Sequence, residues 1–174
     1  MKKLFLLTAL AGVFAFSNVK AQDPAMQGKK LGIGAEFAFP MGDFGEFSDF
    51  GYGGSLMYQH PVSDKFKVTG SAGYLNFKSK ENFVGVTLNS GYIPVKAGAR
   101  YYIAENFFAG GELGAVFSTE SGGGTAFAYT PGIGVEFPVA DNGAVELGAR
   151  YEGWSANGGT SSFIGLRAAF NFGL

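Results

Sequence analysis

Cysteine is absent from the 174 residues. That excludes a disulfide framework and a lipoprotein-type anchor, both of which need the thiol. Histidine occurs once, as His60, so no His/Cys cluster of the kind that ligates zinc can form. Beyond residue 21 no apolar run approaches the roughly 18 residues of a transmembrane helix. Basic residues are not in excess either, so a polyanionic partner such as nucleic acid is not expected. If this chain enters a membrane, it must do so as a closed β-barrel, the other fold that satisfies its own backbone in lipid.

Glycine and aromatic residues are abundant instead, with 29 Gly and 16% Phe, Trp and Tyr. The first 21 residues have the form of a cleaved secretory signal. Lys2 and Lys3 precede an apolar stretch from Leu4 to Phe16, and Val19-Lys20-Ala21 forms a small-residue cleavage site before Gln22. The apolar stretch is too short to span a bilayer as a helix. Removing this leader leaves ten basic against fourteen acidic residues, a net charge of −4, in a single domain over residues 22–174.

Glycine and proline punctuation divides that domain into eight strands, near residues 29–40, 51–60, 65–77, 91–103, 107–117, 125–138, 143–154 and 162–174. The connections alternate long and short. Residues 41–50, 78–90, 118–124 and 155–161 are long; 61–64, 104–106 and 139–142 are short. An even strand number with short turns at one end and longer loops at the other is the pattern of an outer-membrane barrel, with both termini periplasmic. Segments such as Glu112-Leu113-Gly114-Ala115 and Glu146-Leu147-Gly148-Ala149 repeat weakly, through duplication of a hairpin or through convergent strand composition in a glycine-rich chain.

Within the strands, residues alternate with a period of two. One face carries Leu31, Ile33, Phe37, Val95, Ala97, Ile164 and Leu166; the other carries the glycines and charge. Ten charged residues share the glycine face: Glu36, Lys67, Lys96, Arg100, Glu112, Glu136, Glu146, Arg150, Glu152 and Arg167. Alternation alone does not separate a soluble sandwich from a membrane barrel. The leader and the loop pattern favour the barrel, with apolar residues toward lipid and charge in the lumen. An eight-stranded barrel is just wide enough for its side chains to fill the interior. Five acids and five bases in so narrow a space are expected to pair into a lumen-filling salt-bridge network. Arg100 and Glu112 flank one tight turn at a spacing suited to a diagonal pair, while Glu136 and Glu146 face each other and need a base from elsewhere.

Several motifs carry a family resemblance. They are Phe39-Pro40-Met41-Gly42-Asp43-Phe44, Gly51-Tyr52-Gly53-Gly54, Tyr58-Gln59-His60-Pro61-Val62-Ser63-Asp64-Lys65-Phe66 and Ile93-Pro94-Val95-Lys96-Ala97-Gly98-Ala99-Arg100-Tyr101-Tyr102. With these motifs the chain resembles the small outer-membrane β-barrel family, the eight-stranded kind without a globular appendage. The resemblance implies an all-β fold, an eight-stranded antiparallel up-and-down transmembrane β-barrel. It also implies a C-terminal aromatic signal read by the barrel-assembly machinery; here Phe170 and Phe172 keep the outward pattern and Leu174 ends the chain.

Three roles follow as expectations. The first is a non-enzymatic outer-membrane barrel of structural or surface-interaction type, in contact with outer-membrane lipid and lipopolysaccharide and needing no cofactor or metal. The second is a narrow pore for ions or small solutes. The third is a lipid-modifying enzyme, which places His with Ser near the outer leaflet; His60 lies beside a short turn at the opposite end. The first outer loop, with Asp43, Phe44, Glu46, Phe47, Asp49 and Phe50, spaces acids and phenylalanines three apart. Those side chains are candidates for a surface contact, or the rings cap the barrel mouth or enter the lipid interface.

Overall fold

A computed structural model describes residues 28–80, 89–156 and 158–174. The expected leader therefore lies outside the described residues. Eight antiparallel strands close into a barrel in sequence order: β1 Lys30–Met41, β2 Ser48–Pro61, β3 Phe66–Ser79, β4 Asn89–Tyr102, β5 Phe107–Ser118, β6 Thr125–Ala140, β7 Gly143–Ala156 and β8 Gly159–Gly173. Pairing of β1 with β8, from Lys30 opposite Gly173 to Met41 opposite Ser162, removes both sheet edges. No described helix is long and apolar enough to cross a membrane.

Short connections gather at one end of the barrel. Residues 62–65, 103–106 and 141–142 turn at the end that carries Lys30 and Gly173, the turn end. The opposite, loop end departs from the sequence expectation in two places. Residues 155–161 are not a long loop, because Ser155 pairs with Thr160 and Ala156 with Gly159, leaving only a two-residue turn with Gly158 at φ 82°. That left-handed conformation suits glycine, so strand pairing continues to the tip. Residues 41–50 are not an open loop either. They hold a six-residue helix, α1 (Gly42–Phe47), entered through Gly42 at φ 56°, and β2 starts at Ser48.

The outward face is apolar along the middle of the strands, and its polar side chains, such as His60 and Lys78, stand near the strand ends. Large side chains that a soluble protein would bury stand exposed around the whole circumference, including Ile33, Leu56, Val95, Leu113, Ile133 and Leu166. Exposed aromatics gather toward the strand ends. Tyr58, Phe66, Tyr101 and Phe172 form a belt at the turn end, and Phe37, Tyr52, Tyr74, Phe117, Phe127 and Tyr151 one at the loop end. Apolar flanks bounded by two aromatic belts are the surface a bilayer solvates. The inward face is inverted, with the charged side chains among the most deeply buried in the molecule.

Glycines let opposed strands approach where a side chain would strike the neighbouring backbone. A Cβ at inward Gly98 would collide with the Gly111 carbonyl and the Glu112 Cα, and one at Gly114 with the Val95 carbonyl. These positions face large lumen side chains, so their smallness is a packing requirement.

Leu113 is 58% exposed near the middle of β5. Leu113→Arg is expected to destabilise the folded barrel by about 2–4 kcal/mol, the cost of a lipid-facing cation near the midplane, whereas Leu113→Met is tolerated. Heat-modifiable electrophoretic mobility and urea unfolding in lipid vesicles measure both. Equal behaviour of the two variants would show that this face does not meet lipid.

Candidate functional site in the barrel lumen

Alternating strand geometry sends one side chain in two into the lumen, and the polar ones stack there in tiers. The floor, at the turn end, is centred on Glu136 of β6. Its carboxylate accepts from Lys30 Nζ at 2.7 Å, Tyr102 Oη at 2.6 Å and Asn171 Nδ2 at 2.7 Å. The Lys67 ammonium lies 4.8 Å from the centre of the Tyr102 ring. Glu136 stands directly opposite Glu146 in the β6–β7 register. Two adjacent carboxylates would repel, but Asn171 bridges them, donating also to Glu146 Oε2 at 2.9 Å.

Glu146 organises the middle tier. Arg100 grips it with two hydrogen bonds, Nη1 to Oε2 at 2.7 Å and Nη2 to Oε1 at 3.0 Å, and its guanidinium stacks 4.3 Å from the Phe108 ring centre. Arg167 Nη1 donates to Oε1 at 2.7 Å. Arg167 then reaches Glu36, its Nε 3.3 Å from Oε1. Planar bidentate pairing of this type is among the stronger charge-assisted contacts.

The upper tier continues from Glu36. Arg150 donates to Glu36 Oε2 at 2.5 Å and to Glu152 Oε2 at 2.7 Å. Lys96 donates to Glu152 at 3.0 Å and to Thr130 at 3.3 Å. Glu112 is held by the Thr69 and Ser71 hydroxyls at 3.1 and 3.2 Å and lies 4.0 Å from Lys96. Ser55 completes the tier by donating to Glu36. A cavity of about 70 Å³ remains beside these groups, lined by Ser55, Met57, Ser71, Lys96 and Glu112 among others.

Above the charges the lumen turns aromatic. Phe77, Trp154 and Phe163 pack edge to face, with ring centres 5.1–5.6 Å apart, and Tyr92 lies 5.0 Å from Trp154. Leu75, Val116, Ala38 and Ala128 fill the gaps between the rings and the wall. Phe44, carried inward by α1, meets Phe77 at 5.0 Å. Trp154 Nε1 donates to Glu152 Oε1 at 2.8 Å, which ties this lid to the ion-pair tiers beneath it.

All ten charged residues assigned to the lumen from the sequence lie on the inward face, and each has a polar or ring partner there. The partners differ from expectation in one pair. Arg100 and Glu112 form no ion pair; Arg100 sits opposite Gly110, Glu112 sits opposite Gly98, and Arg100 turns across the lumen to Glu146. An eleventh charge, Lys30, is buried to 1% exposure and was not assigned from the sequence. Its signal was its parity with Glu36, obscured by the adjacent Lys29 at the strand start. Gln59 and Asn171 are two further buried polar side chains on this face.

The acid–phenylalanine loop separates by side. Phe44 points into the lid. Phe50 stacks on the outside with Phe37, Phe39 and Tyr52 at 5.4–6.5 Å, while Asp43, Glu46, Phe47 and Asp49 are exposed. His60 lies by Tyr58 near the turn end, its Nδ1 3.5 Å from the Tyr58 hydroxyl. Among the described residues no group of three or more His, Cys, Asp or Glu is arranged to hold a metal ion.

Residues 5–172 match the family model described as the outer membrane protein beta-barrel domain. No curated protein matches the chain. Several solved structures share its fold. Ail, the attachment invasion locus protein of Yersinia pestis, in complex with the heparin analogue sucrose octasulfate, superposes with a TM-score of 0.58 at 21% identity, covering 84% of this chain and 99% of Ail. Neisserial surface protein A gives 0.61 at 15% identity over 85% of this chain and 98% of its own. OprG of Pseudomonas aeruginosa gives 0.52 at 12% identity over 85% and 96%.

Because Glu146 is served by both Arg100 and Arg167, Arg100→Ala leaves it partly paired yet loses the bidentate grip. The variant is expected to cost about 3–5 kcal/mol, as breaking a buried ion pair does. A double-mutant cycle with Glu146→Ala should return a coupling of about 1–3 kcal/mol, and one with Glu112→Ala a smaller value. Urea unfolding in vesicles decides; the reverse order would contradict the pairing.

Proposed function

Given that the chain belongs to the outer-membrane β-barrel family, we propose that it is a closed, non-enzymatic barrel with a structural or surface-interaction role. The observation that carries this reading is the filled lumen. Three ion-pair tiers occupy the interior, and the Phe77–Trp154–Phe163–Tyr92 lid covers them at the loop end. A conducting path would have to part a bidentate Arg100–Glu146 pair and a packed aromatic cluster together. Each carboxylate already has several donors, which leaves none placed as a free general base. Catalysis of the His–Ser type lacks a histidine near the lid.

The chain's outer-membrane placement follows from its family. Within that membrane the short turns and both termini face the periplasm and α1 faces outward, a reading supported by the shortness of residues 62–65, 103–106 and 141–142. Residues 1–21 serve as the export signal, and outward Phe170 and Phe172 on the last strand suit recognition by the barrel-assembly machinery. The outer surface then offers the exposed Asp43, Glu46, Phe47 and Asp49 to a partner. Binding of a heparin-like polyanion, as in Ail, does not carry over to α1, because three of its neighbouring exposed side chains are acidic.

Reconstituted into planar bilayers, the wild-type barrel is expected to show no steady unitary conductance. Long-lived, voltage-stable current steps would overturn this reading in favour of a narrow pore.

A further inference from the structure

Glu112 differs from the other lumen carboxylates in what holds it. Glu36, Glu136, Glu146 and Glu152 each take a charged donor at 2.5–3.0 Å. Glu112 takes the neutral hydroxyls of Thr69 and Ser71, at 3.1 and 3.2 Å. The Lys96 ammonium lies 4.0 Å from it, too far for a direct hydrogen bond. Lys96 directs two of its N–H donors to Glu152 and Thr130, which leaves a third to serve another acceptor.

Both groups border the lumen cavity of about 70 Å³. Much of its remaining wall is apolar, from Met57, Leu75, Pro94 and Phe108. Arg100 and Arg150 line it too, but their guanidinium groups are engaged by Glu146, Glu36 and Glu152, so they offer the cavity mainly their methylene stems. The chamber is amphipathic, with one open donor–acceptor pair set in an apolar or already paired lining.

Size and gap define the guest. An engineered cavity of about 150 Å³ admits benzene, so one of half that volume holds roughly three or four non-hydrogen atoms. Across the 4.0 Å separation, two hydrogen bonds of about 2.8 Å meet at a single oxygen atom. A hydroxyl serves both, accepting from the ammonium and donating to the carboxylate. In the two upper tiers Lys96, Arg100, Arg150 and Arg167 balance Glu36, Glu112, Glu146 and Glu152, which disfavours a charged guest.

We propose that the cavity binds a small uncharged alcohol of two or three carbons, its hydroxyl between Lys96 and Glu112 and its alkyl end against the apolar wall. Leu75 belongs both to this wall and to the aromatic lid. The guest therefore enters from the loop end by the parting of packed side chains rather than by the breaking of an ion pair.

The test follows methionine methyl signals by NMR in the full barrel, labelled at methionine and reconstituted in lipid nanodiscs. Met57 lines the cavity, while Met41 stands exposed at the rim of β1 and reports nonspecific partition. Ethanol and propan-1-ol are expected to shift the Met57 signal saturably and the Met41 signal only linearly. Dimethyl ether, the isomer of ethanol without an O–H donor, should bind about tenfold more weakly, the loss of one hydrogen bond to an ion. Glu112→Gln removes the charged acceptor and should weaken ethanol by a similar factor. Ser71→Thr adds one methyl group to the cavity wall and keeps the hydroxyl, so it should weaken propan-1-ol more than ethanol; with the ether it decides alone if Glu112→Gln does not refold. Linear, parallel shifts of Met57 and Met41 would overturn the proposal and leave water as the occupant of the cavity. Equal binding of ethanol and dimethyl ether would overturn it too, showing an apolar void without recognition by Lys96 and Glu112. Saturable binding unchanged in the substituted barrels would also overturn it, by locating the alcohol elsewhere.

Discussion

Eight strands closed on one another leave an interior too narrow to solvate charge with bulk water, and that constraint governs the rest of the molecule. Once an arginine or glutamate points inward, its counter-charge must be another side chain. Glu136, Glu146 and Glu152 show the consequence, each accepting at least three hydrogen bonds. A soluble protein of this size would use an apolar core to hold its sheet together. Here lipid takes the apolar face, so the interior is built from ion pairs, with glycines on the same face making room for them. Such a core is stable only when complete, since a broken pair leaves an uncompensated charge.

The same constraint explains why the lid is apolar. Bases and acids held in the tiers need a surrounding of low dielectric to pair strongly, and the aromatic cluster at the loop end shields them from the medium there. Trp154 joins the two regions, its ring packed among Phe77, Phe163 and Tyr92 and its indole N–H on Glu152. α1 contributes Phe44 to this lid, and β2 places Phe50 on the lipid side only six residues later. A short connection thereby serves both surfaces of the barrel rim.

Strand parity was legible in the sequence because a period of two needs only local reading: Glu36, Arg100 and Arg167 alternate with apolar neighbours wherever one looks. Partnership was not. Lys30 and Glu136 are 106 residues apart, and Arg150 and Glu36 are 114 apart. Their meeting depends on the stagger of the closed sheet, which no local window contains. The expected Arg100–Glu112 pair used the nearest hairpin, whereas a long side chain in a narrow lumen reaches across it to Glu146 as easily as along the wall. Glycine misled at residues 155–161, where it marks a tight turn between fully paired strands rather than an open loop. At residues 42–47, Gly42 starts a helical turn too short to show a helical period.

Solvent exchange of the lumen guanidinium protons tests the central claim most directly. In isotope-labelled barrel reconstituted in lipid nanodiscs, the N–H signals of Arg100 and Arg167 can be followed by NMR after transfer to heavy water. A closed ion-pair core predicts resolved signals that persist far longer than those of an exposed arginine, since both groups are nearly wholly buried and hydrogen-bonded to Glu146. Exchange at the rate of a solvated guanidinium would contradict it and mean that water moves freely through the barrel.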